Sequence, residues 1–263
     1  MTQADRPWPP LVAVSMFTII PVRLSAPVDE DLAGRAILWL PAVGLVLSAP
    51  AAGALFAAGL DAGTPLRRLL GAVLAVTVLG VLTGGLHLDG LADTADGLGS
   101  RRPKDAALEI MRRGDTGPLG VAALILMVLL QVTALAALPG RVAVAGLVLG
   151  VVTARAAVLL ATGPSFPSAR PGGFGALVAG RTSARTCAAA VILLTAAIAA
   201  FAEVAGGSKL AATLLAATLT GLLAAIAVCR AARSRLGGLT GDVFGAVIEV
   251  TMAVTLTALA VLT

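Results

Sequence analysis

"LLGAVLAVTVLGVL", residues 69–82, contains no charged side chain, and "TGGLHLDGLADTADGLGSRRPKDAALEIMRR", residues 83–113, follows it with Asp89, Asp93, Asp96 and the chain's single histidine, His87. The first stretch decides the fold class. With its neighbours it makes an apolar run of roughly 20 residues, enough to cross about 30 Å of hydrocarbon as a helix that satisfies its own backbone polar groups. Similar runs recur at 36–59, 66–88, 117–138, 141–161, 187–204, 208–229 and 241–262. Composition agrees: 58% of the 263 residues are hydrophobic, 13% are charged, and mean hydropathy is +0.99, values that exclude an ordinary soluble domain. The sequence predicts an all-α polytopic integral membrane helical bundle, one domain over 1–263, with about seven transmembrane helices. Leu11 to Leu24 is too short to cross and is interrupted at Pro21, which predicts a short N-terminal interfacial or half-inserted helix. "MTQADRPWPPL" lacks the features of a secretory signal and is expected to be retained.

Charge orients these spans. Fourteen of the nineteen Lys and Arg residues fall in segments 1–35, 87–116, 162–186 and 230–241, all on one side of the alternating path. Arg67, Arg68, Arg141 and Lys209 fall on the other side, and Arg155 lies within a span. The positive-inside rule places the first set in the cytoplasm, and the acids with it. The net charge of +5 is therefore a topology signal, and no nucleic-acid partner is implied. "LPGR" at 138–141 and "AGGSK" at 205–209 read as tight turns on the opposite side. Cys187 and Cys229 fit neither metal-ligand nor redox spacing and read as small packing residues.

If the helix of 66–88 continues to about residue 97, Asp89, Asp93 and Asp96 stand at i, i+4 and i+7 on one face. Carboxylates clustered at a membrane boundary repel one another unless a cation joins them, and Mg2+ suits a few carboxylates shared with phosphate oxygens. A solvated acidic loop balanced by Arg101, Arg102 and Lys104 is the plain alternative; it does not account for Gly84, Gly85, Gly90 and Gly97, which let backbone and substrate approach. "GGLTGD" at 237–242 repeats the form of "GGLHLD" at 84–89 and adds Asp242 as a metal-ligand candidate, with helix capping as its other role. Arg112, Arg35 and Arg155 are candidates for holding phosphates, Arg112 standing equally well as the ion-pair partner of Glu109. Glu249 within the last span needs a partner, and Arg155 is available. One histidine excludes a His-based metal site; His87 is either a hydrogen-bonded structural residue or a proton acceptor. Acids, a divalent cation, arginines and a cytoplasmic opening together point to phosphoryl-group chemistry at the membrane surface. A cation transporter is the rival of another class, disfavoured because the acids gather at one end instead of the midplane.

Three segments carry a family resemblance: "TGGLHLDGLADTADGLGS" (83–100), "LEIMRRGDTGPLGV" (108–121) and "LGGLTGDVFGAVIE" (236–249). With "FTIIPVR" (17–23) and "GRAILWLPAVGL" (34–45), the chain resembles cobalamin synthase, the adenosylcobinamide-GDP ribazoletransferase family, over nearly its whole length. The resemblance implies a Mg2+-dependent phosphotransferase of the bacterial cytoplasmic (inner) membrane, with its active site facing the cytoplasm. It would join adenosylcobinamide-GDP and α-ribazole, or α-ribazole 5′-phosphate, to give adenosylcobalamin, or its 5′-phosphate, and GMP. It also implies that Asp89, Asp93, Asp96, Glu109, Arg112 and Asp242 are the site residues, and leaves open a homo-oligomer or a complex with other cobalamin-pathway enzymes. One departure is local: the family often has M-R/K-D-S-R-x-G where this chain has Met111-Arg112-Arg113-Gly114-Asp115, so acid and base have exchanged places. D-G-x-x-D-x-x-D is also loosely similar to the acidic motif of CDP-alcohol phosphotransferases, but the Ala-Arg pair and later acidic repeat of that family are absent.

Overall fold

Charge-free runs become helices, and proline or a hydroxyl side chain sets where several begin. The computed structural model describes residues 7–58, 64–205 and 207–263, with the backbone alone for 202–205. Its helices are α1 (Pro9–Phe17), α2 (Glu30–Ile37), α3 (Leu40–Ala57), α4 (Pro65–Leu82), α5 (Leu86–Gly99), α6 (Lys104–Arg112), α7 (Pro118–Ala137), α8 (Gly140–Ala161), α9 (Phe174–Val178), α10 (Ala184–Ala205), α11 (Gly207–Leu236) and α12 (Gly241–Leu262). Seven of these, α3, α4, α7, α8, α10, α11 and α12, are long and apolar enough to cross a membrane. Thr64 caps α4 and Pro65 opens it, while Pro118 opens α7, where a missing N–H costs nothing. The expectations on the extreme N-terminus and on the turn centred at Gly206 fall wholly or partly outside the described residues.

The predicted span over 66–88 divides in two. Gly84 and Gly85 adopt φ +61° and +71°, a left-handed conformation that glycine enters without strain. The Gly85 N–H then donates to Gly80 O (2.8 Å) and the Gly84 N–H to Val81 O (3.0 Å), closing α4 with a Schellman motif. Consequently His87 and the three aspartates belong to a separate helix, α5, which is too short to span. Ile19 N–H donates to Leu82 O (2.9 Å), tying the chain after α1 to this break. The N-terminal helix is shorter than expected, nine residues, and buries Val12, Ala13 and Phe17. Trp8 and Trp39 pair at 6.3 Å with both rings exposed, an arrangement that suits the interfacial layer.

Helices α8 and α12 form the centre. Small residues let them close: an added Cβ at Gly150 would meet Leu256 at 3.3 Å, and one at Gly146 would meet Leu138 and Leu259. By contrast α10 is peripheral, with few fully buried residues and Ala190, Val191 and Leu194 packed partly against the core. Helix α11 runs 30 residues, about 45 Å at 1.5 Å per residue, so it projects past the hydrocarbon and carries Arg230, Arg233 and Arg235 out with it. Gly237, at φ +79°, ends it.

The loops that the sequence assigns to one side meet at one end of the bundle. The Arg233 guanidinium donates to Ser165 O (2.9 Å), that of Arg170 to Leu108 O (2.6 Å), and Leu239 exchanges backbone hydrogen bonds with Pro167 and Ala169 at 2.8 and 2.9 Å. α5 lies against α12 and α7 at that same end.

Candidate active site

Glycine brings α5 against α12. A Cβ at Gly90 would stand 2.6 Å from Asp242 O, and one at Gly245 would stand 2.9 Å from His87 O, so each helix meets the other's backbone directly. This contact fixes Asp89 and Asp242 on the wall of one cavity of about 250 Å³. Asp93 lies one turn further along α5 and is 9% exposed. Burial first, and then the carboxylates of Asp242, Asp89 and Asp96, push Asp93 up to a pKa of about 6, with Arg170 acting in the opposite direction.

Asp96 stands apart from the other three. It is 8% exposed and accepts the Gly117 N–H on Oδ2 (2.7 Å) and the Gly120 N–H on Oδ1 (2.9 Å). Those two N–H groups belong to the N-terminus of α7, whose own cap residue, Gly117, has no side chain to offer. A carboxylate there also meets the positive end of the helix dipole. Asp96 thus caps a neighbouring helix from α5, and both of its oxygens are engaged.

Among the described residues no three or more His, Cys, Asp or Glu side chains converge closely enough to form a metal cage. The donor chemistry nevertheless fits a hard divalent cation: Asp89, Asp93 and Asp242 are oxygen donors in mutual repulsion, and Mg2+ takes one or two carboxylates alongside phosphate oxygens. Asp242 is steadied by a hydrogen bond from the Thr240 hydroxyl to its Oδ2 (3.0 Å).

His87 is 2% exposed, and its Nε2 has no hydrogen-bond partner among the described residues. Burial, and secondarily the charge of Arg155, lowers its pKa to about 3, so the ring is neutral at physiological pH. Arg155, 3% exposed, lies deeper, sharing a cavity of about 20 Å³ with His87, Gln131 and Glu249. Gln131 Nε2 donates to Glu249 Oε2 at 2.7 Å, so the intramembrane acid is partnered by an amide as well as lying beside the expected arginine. Arg155 therefore stands behind the acids, on the far side of His87.

The remaining predicted residues lie outward. Arg112 and Glu109 form a 3.5 Å ion pair on the exposed face of α6, opposite Ala107, Leu108 and Met111, which are buried. Arg35 is exposed on α2, and Arg113 and Asp115 are exposed before α7. The cation the structure does bring to the acids is Arg170, whose charge acts on both Asp93 and Asp242. Sequence reading passed over it. Its signal was its setting in "SARPGGFG" (168–175), an arginine among turn-forming residues on the same side as the acids. Ser168 shapes that turn by donating its hydroxyl to Arg170 O (2.7 Å).

No solved structure matches the chain. A protein named adenosylcobinamide-GDP ribazoletransferase from Frankia casuarinae is 40% identical over 258 residues, covering 94% of this chain and 92% of its own. One of the same name from Pseudomonas aeruginosa is 40% identical over 261 residues, covering 95% and 96%. Another from Brevibacillus brevis is 35% identical over 246 residues, covering 94% and 95%. The family model described as cobalamin-5-phosphate synthase matches residues 9–260, and the chain belongs to that family.

Proposed function

We propose that the chain is a membrane-embedded, Mg2+-dependent adenosylcobinamide-GDP ribazoletransferase, taking α-ribazole or α-ribazole 5′-phosphate as the second substrate. The observation that carries this reading is the placement of Asp89 and Asp242 on one cavity, with Asp93 and Arg170 beside them, at the end where the basic loops gather. Near-full-length similarity to proteins bearing that name supports the choice of substrates. The positive-inside rule supports a bacterial cytoplasmic membrane with this end inward.

Asp89, Asp93 and Asp242 would hold the Mg2+. When bound, it withdraws charge from the diphosphate of the GDP-activated corrinoid and steadies the departing GMP. Arg170 is fastened through one guanidinium nitrogen to Leu108 O and its charge acts on Asp93 and Asp242, so its side chain is already ordered where it would bind a phosphate oxygen. The 3′-hydroxyl of the ribazole attacks the phosphorus on the aminopropanol arm. A new P–O bond forms as the bond to GMP breaks, and GMP leaves with the electron pair. The hydroxyl proton would pass to a carboxylate of the Asp89, Asp93 and Asp242 group, of which Asp89 and Asp242 line the cavity. Positioning and electrostatics do the rest, as in phosphoryl transfer generally.

The test is turnover by the detergent-purified chain with both substrates, in Mg2+ and then in EDTA. Release of GMP with a complete corrinoid, lost in EDTA and restored by Mg2+, is the expected result. A folded sample yielding neither product would overturn the reading.

A further inference from the structure

The cavity that Asp89 and Asp242 share has a second character. Aromatic residues are 3% of this chain and only six are phenylalanines, yet three of them, Phe17, Phe174 and Phe244, line this one space. They come from α1, α9 and α12. Phe17 meets Phe174 edge-on at 5.5 Å and 78°, and Phe174 meets Phe244 at 5.7 Å and 87°. Met16 and Leu86 add to the apolar lining, and His87 also borders the space. Phe17 and Phe244 are nearly fully buried and back the space from the core, while the half-buried Phe174 stands between them beside about 250 Å³ of accessible space at a polar helix end. A ligand filling it is flat and apolar at one end and polar at the other, with the polar end beside the carboxylates.

Resting on the function proposed above, we infer that this cavity receives the benzimidazole base of α-ribazole, so that Phe174, Phe17 and Phe244 set the specificity for the attacking nucleoside. The corrin ring is far larger than the space. Guanine would bring several ring and exocyclic polar groups to a lining made mostly of phenylalanine, methionine and leucine, with His87 as the polar side chain besides the two acids, and burying unpaired polar groups is costly. A dimethyl-substituted benzimidazole has apolar edges and a π-face that suit these walls. Seating it there keeps the attached ribose within reach of Asp89 and Asp242, which line the same space.

Two variants of the full-length chain test this. Phe174→Leu removes the half-buried central ring but keeps an apolar side chain, and Met16→Trp narrows the cavity without opening a hole in the core. Phe174→Leu is expected to raise KM for α-ribazole on the order of tenfold, the usual worth of one aromatic stacking contact, and Met16→Trp should raise it by filling part of the space, while KM for adenosylcobinamide-GDP stays within about twofold in both. Equilibrium dialysis of α-ribazole against the purified protein should weaken in parallel. Unchanged α-ribazole affinity in both variants, or a rise confined to the GDP-corrinoid, overturns the inference. Should the wild type bind α-ribazole through Phe174 yet release no GMP, the reaction is wrong and the pocket assignment stands.

Discussion

Four aspartates that look interchangeable in the sequence carry different burdens in the fold. Asp89→Asn and Asp93→Asn should each lower turnover about a hundredfold or more, the scale of losing one group that stabilises transition-state charge, without lowering the melting temperature measured in EDTA. Asp96→Asn should behave differently. An amide places a donor against one of the two N–H groups of α7, so the loss is in stability, about 1.5–3 kcal/mol for a charged hydrogen bond, read as a lower detergent melting temperature. Arg170→Ala should raise KM for the GDP-corrinoid tenfold or more, and Arg170→Lys should recover little of it because Lys lacks the planar fork. Asp93 also gives a pH signature. Its folded pKa is raised from 3.8 to about 6, so between those values the native state binds more protons than the unfolded one, and in EDTA this group's contribution makes stability fall as pH rises through that window. Mg2+ competes with the same proton, so thermal stabilisation by Mg2+ should be small below about pH 6 and grow above it, measured as a melting-temperature difference with and without the ion. Spacing alone put Asp89, Asp93 and Asp96 on one face. What separates Asp96 is a pair of glycine N–H groups 21 and 24 residues later, which no local pattern announces. Arg170 was hidden for the same reason, since only folding of its loop against Leu108 and Leu239 brings it to acids more than seventy residues away in either direction.

At the scale of elements, the decisive contact is the one between α5 and α12. Gly90→Ala drives a methyl group into the Asp242 backbone, which cannot yield as a flexible side chain would. It should cost about 1–3 kcal/mol by overpacking and reduce turnover while circular dichroism reports unchanged helix content. Gly53→Ala, where nothing lies within 4 Å, is the matched control and should be neutral in both measurements. The two G-G-L-x-x-D segments prove to be structural counterparts of a limited kind. Each turns through glycine with positive φ, at Gly84 and Gly85 in one and Gly237 in the other, and each then starts a helix bearing an acid. The break at 83–85 was the harder feature to read. Hydropathy continues through Leu86 and Leu88, so a window sees one span; the Gly-Gly pair marks the interruption only once its left-handed backbone is known.

For the whole molecule, composition and apolar run length were enough to call seven spans, because a bilayer allows so few alternatives. The 162–173 loop meets α6, α11 and the 237–240 segment at one end of the bundle, and the charge of these loops supports the proposal that this end faces the cytoplasm. Labelling with a membrane-impermeant maleimide checks the direction. In a background lacking Cys187 and Cys229, Arg113→Cys should react only from the cytoplasmic side and Arg141→Cys only from the opposite one. The fold's order along the chain has one more consequence. The helix bearing Asp89 and Asp93 is synthesised early, yet α7 supplies the N–H groups that hold Asp96 and α12, the last helix, supplies the backbone that seats Gly90. While the ribosome is still at work, those carboxylates are unseated and face the insertion machinery without their partners. On the proposed reading, a chain ending before α12 would lack the seat for Gly90 and would occupy the membrane without activity.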